Sequence, residues 1–252
     1  MGEQQGGQQA ATFEEDDLRN ALSGLSRLTT GSLSLSDALI HVAQFAVRAI
    51  PNADGAGLTL LHDDRPDTVV ASADFVREID DIQYGLGEGP CILAAATGAT
   101  VRSGSLGGEP RWPGFGSRVG RLGVHSVLSL PLITDDEVIG AMNVYAYAKD
   151  AFDSRAAELG EMFAGPAAVS VQNARALASA VLLTHRLEKA LTNRAMIDHA
   201  IGILISRSGY TPAEAFSALR TMSQRDNRKL NDVARSLVDD AGRRARARHS
   251  GS

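Results

Sequence analysis

Apolar residues between Glu14 and Leu28 fall at helical spacing, with Leu18, Leu22 and Leu25 on one face. The same period runs from Ser36 to Ile50 through Ala38, Leu39, Val42, Ala43, Phe45, Ala46 and Ile50, and Pro51-Asn52 stops it. From Ala56 the period drops to two. AGLTLLHDD alternates and ends in an acidic turn, and TVVASAD follows as a second β-rich run. The runs His125–Leu132 and Glu137–Ala146 are stronger, and Thr134-Asp135-Asp136 between them has the length of an antiparallel hairpin turn. Short helical pieces and the glycine-rich QYGLGEGPCILAAATG separate the strand pairs. This order predicts an α+β domain, an antiparallel sheet with helices packed mainly on one face.

Beyond a helix start at Asp153-Ser154 the pattern changes again. Apolar or small residues recur at steps of four and three: Ala176, Ala180, Leu183, Leu187, Ala190, Ile197, Ile201 and Leu204, with Arg194 in the one slot where the series fails. A single helix lying on its own sheet would carry a wider stripe. A narrow stripe held over about four heptads predicts a dimeric coiled coil with Leu183, Leu187, Ala190, Ile197, Ile201 and Leu204 in the seam. Arg207-Ser208-Gly209 ends the long helix. Thr211, Pro212 and Glu214 then supply a cap, a first-turn proline and a capping box for a second helix with Ala215, Phe216, Leu219 and Met222 inward. The link QRDNRK precedes a third helix with Leu230, Val233, Ala234, Leu237 and Val238 on its face. Helices this short need packing to persist, so a small all-α unit is expected.

Charge divides the chain sharply. Residues 1–180 hold 12 Lys and Arg against 23 Asp and Glu, a net of −11; residues 181–252 hold 13 against 7, a net of +6. That asymmetry points the C-terminal unit at a polyanion. The apolar fraction of 44% suits a globular chain with a sizeable core, and no uncharged run is long enough to cross a membrane. The start MGEQQGGQQAATFEEDD lacks a basic region followed by an apolar one, so a secretory signal is not expected. The single Cys91 forms no intrachain disulfide, which fits a reducing cytoplasm.

The C-terminal stretch AIGILISRSGYTPAEAFSALRTMSQRDNRKLNDVARSLV resembles an ANTAR domain, the three-helix RNA-binding module of bacterial transcription antiterminators. The resemblance rests on Ala200, Gly202, Ile203 and Leu204, on Ala215, Phe216, Leu219, Arg220 and Ser223, and on Asn227, Leu230, Val233 and Ala234; Ile205 stands where such domains mostly carry Met. It implies a dimer that binds paired RNA hairpins and so prevents a terminator from forming. The residues agree with that chemistry. Duplex RNA hides its base edges, so loops are what a protein reads. Arg194, Arg207, Arg220, Arg225, Arg228 and Lys229 supply charge for phosphate; Gly202 and Ser206 supply room for a base; His199, Gln224 and Asn227 supply hydrogen bonds. The plain alternative is a solvated basic face with Gly202 serving helix packing. Arg243 to Arg248 read as a disordered basic arm.

Residues 35–175 resemble a GAF domain, a small-molecule-sensing module, through Gly85-Leu86-Gly87-Glu88-Gly89-Pro90, Ser126–Leu132 and Val138–Val144. The cyclic-nucleotide signature Asn-Lys-Phe-Asp-Glu of some GAF domains is absent. Tyr84, Cys91, Trp112 and Phe115 are candidates for a ligand pocket, or equally for core. Cys91 follows Gly89-Pro90 at a helix start, where a thiolate would be favoured, although a small buried apolar cysteine is the commoner case. His125 is an ordinary strand-edge histidine or, less readily, a haem ligand. No cofactor or metal is identified. None of the phosphate-loop, zincin or nucleophile-elbow motifs occurs, so no enzyme is expected. Nor do the two cysteines that GAF-type methionine sulfoxide reductases need.

The predicted organisation is therefore a helical or disordered extension over 1–34, a GAF-like α+β domain over 35–175, a coiled-coil linker over 176–194, an ANTAR-like all-α unit over 183–241 and a flexible basic tail over 242–252. The expected function is a ligand- or signal-regulated antiterminator that binds paired RNA stem-loops as a homodimer in the cytoplasm. The alternatives are a DNA-binding regulator with a GAF sensor, using residues 211–225 and 230–239 as a helix-turn-helix, or a sensory adaptor that binds another protein.

Overall fold

The computed structural model describes residues 2–28, 34–62, 65–135 and 137–249. Asp136 of the predicted hairpin turn, the acidic pair Asp63-Asp64 and the last three tail residues lie outside them. The chain divides into two compact units, residues 1–178 and 179–252.

The first unit opens with α1 (Gly2–Leu28) and α2 (Leu35–Ala49). Strands β1 (Gly55–His62) and β2 (Arg65–Ala71) follow, then α3 (Asp74–Leu86), α4 (Pro90–Thr97), β3 (Val101–Ser103) and α5 (Pro113–Arg121). The hairpin β4 (Ser126–Thr134) and β5 (Glu137–Ala146) completes the sheet. Its order is β2-β1-β5-β4-β3, with every pair antiparallel.

Helices cover both faces of this sheet, not mainly one, because alternate residues of the central strands are apolar in both directions. On one side Leu58, Leu60, Leu128, Leu130, Met142 and Val144 join α1, α2 and the start of α6 (Ser154–Ser208) in a core that includes Phe163 and Val171. On the other, Val127 and Tyr145 meet α3, α4 and α5 through Val76, Ile79, Ala94 and Phe115. Asp153 caps α6 as expected: its carboxylate accepts from the Ala156 N–H at 2.8 Å. The extension expected over 1–34 as helical or disordered is helical from Gly2 to Leu28. Gln, Glu and Ala are good helix formers, and the turn holding Leu18, Ala21 and Leu25 is anchored in the core.

The second unit takes the end of α6, α7 (Pro212–Arg225) and α8 (Leu230–His249). Gly209 sits at φ +67 just past α6, and its N–H bonds back to the Ile205 carbonyl, the left-handed stop that the sequence calls for. The capping box is present. The Thr211 hydroxyl accepts from the Glu214 N–H at 3.3 Å, and the Glu214 carboxylate accepts from the Thr211 N–H at 2.8 Å.

The buried core of this unit is Ala200, Leu204, Ala215, Leu219, Val233 and Ala234, with Ile197, Ile201, Met222, Leu230, Leu237 and Val238 packed against it. Three corrections follow. Leu204, assigned to the dimer seam, is consumed by the chain's own α7 and α8, and Ile197 and Ile201 lean on the same core. Phe216, assigned to the buried face of α7, is 43% exposed, because it stands one position off the Ala215–Leu219–Met222 stripe. The segment from Gly242, assigned to a flexible tail, continues α8 as far as His249, in keeping with the helix propensity of Ala and Arg.

Candidate nucleic-acid interface and sensor interior

All eleven residues expected to contact RNA are exposed: Arg194, His199, Gly202, Ser206, Arg207, Arg220, Gln224, Arg225, Asn227, Arg228 and Lys229. Four of them converge. His199, Gly202, Ser206 and Arg207, on successive turns of α6, line an open groove of about 680 Å³ with Asp198, Ile203 and, from α8, Val238, Ala241, Gly242 and Ala245. Gly242 and Ala245 of the α8 wall were missed by reading them as tail, and Val238 and Ala241 were read only as part of the packed unit. The signal of this wall was the small-residue spacing 238, 241, 245 on a helical period. Gly202 does not serve close packing within this unit, since a Cβ placed there meets nothing within 4 Å.

The other seven spread along the surface of the unit. Arg194 points an ion pair at Asp198 across 4.0 Å and is largely exposed. Arg225 pairs with Asp226 at 2.9 Å. Arg228 donates to the Ser236 hydroxyl at 2.9 Å, which orients α8 beside the link. Asn227 takes a left-handed turn at φ +48, and the Ser223 hydroxyl holds the Arg228 carbonyl at 2.6 Å. Among the described residues Arg207, Arg220 and Lys229 have no ion-pair partner. Exposed pairs such as Arg225–Asp226 hold little energy, so a phosphate can displace them.

In the first unit the sheet face beneath α3 and α4 is unusually polar. The strand register sets Gly57, Asn143 and Ser129 side by side across β1, β5 and β4. The Ser129 hydroxyl donates to Asn143 Oδ1 at 2.6 Å. Tyr84 lies 3.3 Å from Cys91 Sγ and donates its hydroxyl proton to Thr59. Gln83 Oε1 accepts from the Cys91 N–H at 3.0 Å. Asp80, one turn before Tyr84 and 1% exposed, accepts from the Tyr145 hydroxyl at 3.4 Å. Gly57 leaves room for it: a Cβ there would stand 2.8 Å from Asp80 Oδ2.

Burial pushes the Asp80 carboxyl up to about 7, against the weaker opposing pull of Tyr145 and nearby Asn143. Burial likewise raises the Cys91 thiol, and the sulfur is buried. The Tyr84 and Tyr145 phenols are raised for the same reason. Asp80 Oδ2, Gln83 Nε2 and Asn143 Nδ2 are buried without a hydrogen-bond partner. Of the expected pocket residues, Tyr84 and Cys91 border this cluster, while Trp112 and Phe115 are core. Sequence reasoning missed Asp80, Gln83, Asn143 and Tyr145. Their signal was polar residues at i, i+3 on α3 and at i, i+2 on β5, each set on an apolar face. His125 is half-buried and tied by its backbone to Ala146 and Leu106. No cluster of metal-ligating side chains occurs among the described residues.

A family model for the GAF domain matches residues 32–172, more than half of the chain, and one for the ANTAR domain matches residues 185–238. The chain is a GAF–ANTAR protein. ANTAR is an RNA-binding antitermination domain and GAF a sensor domain, and both are regulatory. No curated protein matches the GAF–ANTAR chain. Among solved structures it is similar to the GAF domain of an Acinetobacter phosphoenolpyruvate-protein phosphotransferase, at 15% identity over 66% of this chain and 97% of that one, TM-score 0.46. A Coxiella burnetii phosphoenolpyruvate-protein phosphotransferase GAF domain matches at 17% identity over 65% and 97%, TM-score 0.47. The free methionine-R-sulfoxide reductase of Neisseria meningitidis, solved with its substrate, matches at 19% over 64% and 91%, TM-score 0.46. No helix among the described residues is long and apolar enough to cross a membrane.

Proposed function

We propose that this GAF–ANTAR protein is a signal-regulated antiterminator that binds paired RNA stem-loops as a homodimer in the cytoplasm and keeps a terminator from forming. The observation that carries this is the α6/α8 groove. Four candidate contact residues meet there, on a unit whose net charge is +6 and whose core is buried behind them. Dimerisation draws support from the seam residues Leu183 and Leu187, which are each 57% exposed on α6. Apolar side chains at heptad spacing and that exposure gain by meeting a partner copy. With Ile197, Ile201 and Leu204 packed in the unit itself, the seam shortens to the stretch before Arg194.

The GAF domain supplies the signal. Two buried donors, Gln83 Nε2 and Asn143 Nδ2, and one carboxyl oxygen, Asp80 Oδ2, are unclaimed by the protein, which supports a small polar ligand. No cofactor is assigned.

One observation favours the DNA-binding alternative. The link between α7 and α8 is only residues 226–229, because Gln224 and Arg225 belong to α7, and that length falls within the range of a helix-turn-helix. Fluorescence anisotropy with a pair of loop-bearing RNA hairpins and with duplex DNA of equal charge separates the two. Preference for the hairpins, with affinity falling about one decade per decade of salt for each phosphate contact, is the expected result. Preference for duplex DNA would replace the proposal with its alternative.

A further inference from the structure

The groove between α6 and α8 has a wall that the ANTAR match does not contain. The match ends at residue 238, whereas α8 runs on to His249. Ala241, Gly242 and Ala245 on that extension line the groove. Their helical spacing puts them on one face, while Arg243, Arg244 and Arg246 stand exposed. Small residues thus keep the groove open where longer ones would fill it, and Gly202 does the same from the α6 side.

We propose that this extension is the second wall of the RNA site, and that the groove takes one unstacked base from a hairpin loop. The proposal rests on the RNA binding proposed above. A nucleobase is a flat ring with apolar faces and polar edges. The groove offers the matching surfaces: aliphatic walls in Ile203, Val238 and Ala245, hydrogen-bonding groups in His199 and Ser206, and a cation in Arg207. Residues 240–249 add four arginines against one aspartate, Arg243 being paired with that Asp240. A second copy fits the groove less well, since it would bring one unit of net +6 against another.

The test uses the full chain carrying Ala241→Leu and Ala245→Leu. Leucine keeps helix propensity and removes no charge, so α8 stays folded and only the groove fills. Binding of the hairpin pair is expected to weaken about tenfold or more, the loss typical of one stacked base, with an unchanged salt slope. Undiminished affinity in the double variant, beside a wild-type chain that binds hairpins, overturns the groove assignment and leaves the antiterminator proposal standing. Altered self-association with unchanged RNA affinity would assign the groove to a second copy instead, and also overturns it. Failure of the wild-type chain to bind hairpins removes both. Should the variant lose helicity, 4-thiouridine placed in the loop decides the matter on the wild-type chain. Crosslinks in the peptide 238–249 support the second wall, and crosslinks confined to other peptides overturn it.

Discussion

The two units solve opposite problems. The GAF unit encloses a sheet on both faces with two apolar clusters, which leaves enough interior to bury a carboxylic acid, a thiol and a phenol. Among the described residues the ANTAR unit has six buried ones, all apolar, and keeps its candidate contact residues on its surface. A large core can hold unsatisfied polar atoms because many well-packed neighbours fix them in place. A three-helix core holds fewer, since each such group costs a large part of its stability: among the described residues of this unit, Asn231 Oδ1 alone is buried without a partner. On the proposed function, sensing chemistry sits inside one unit and recognition chemistry outside the other.

The contrast breaks most visibly through a core deletion. Leu219→Ala removes one of the six buried residues and is expected to cost about 2–5 kcal/mol, enough to unfold the ANTAR unit. Trp112, the chain's single tryptophan, is buried in the GAF unit, so its fluorescence transition should stay in place while far-UV helicity and RNA binding are lost. A tryptophan transition that shifts with the variant would show that the two units do not fold separately.

Asp80→Asn tests the buried acid. Its carboxyl is raised from the ordinary range to about 7, so the folded state prefers the proton. The stability that this brings is complete below the unfolded value near pH 4 and is lost as pH rises through about 7, on the order of 4 kcal/mol at most. The asparagine variant should match wild type at pH 4, exceed it at pH 8, and show a flatter Tm against pH. Equal pH dependence in both proteins would mean that Asp80 is not the group responsible.

The smallest effect belongs to the surface of the ANTAR unit. Thr211→Ala removes the cap of α7 and should lower stability by about 1 kcal/mol in chemical denaturation, without touching the salt slope of RNA binding. A weakening of RNA binding beyond the loss of folded protein would place Thr211 in the RNA contact itself.

Local signals were legible wherever the physics is local. Thr211-Pro212-Ala213-Glu214 names its own helix start, Gly209 its own helix end, and the alternation on either side of Asp135 its own hairpin. The seam was legible as a stripe but not in its partner. A heptad series does not say whether α7 and α8 or a second chain will cover Leu204. Asp80 looked like any charge on a helix, because its burial is decided by α3 docking over Gly57, a contact between distant segments. The end of the α8 wall was hidden by its arginines, which read as a basic arm while Ala245 between them lines a groove.

Sedimentation velocity of the full chain with a paired-hairpin RNA, beside a Leu183→Glu, Leu187→Glu variant, tests the central claim most directly. The account predicts two protein copies on each RNA for wild type, and monomers with sharply weakened RNA binding for the variant. Wild-type monomers that carry no RNA at low salt would contradict it.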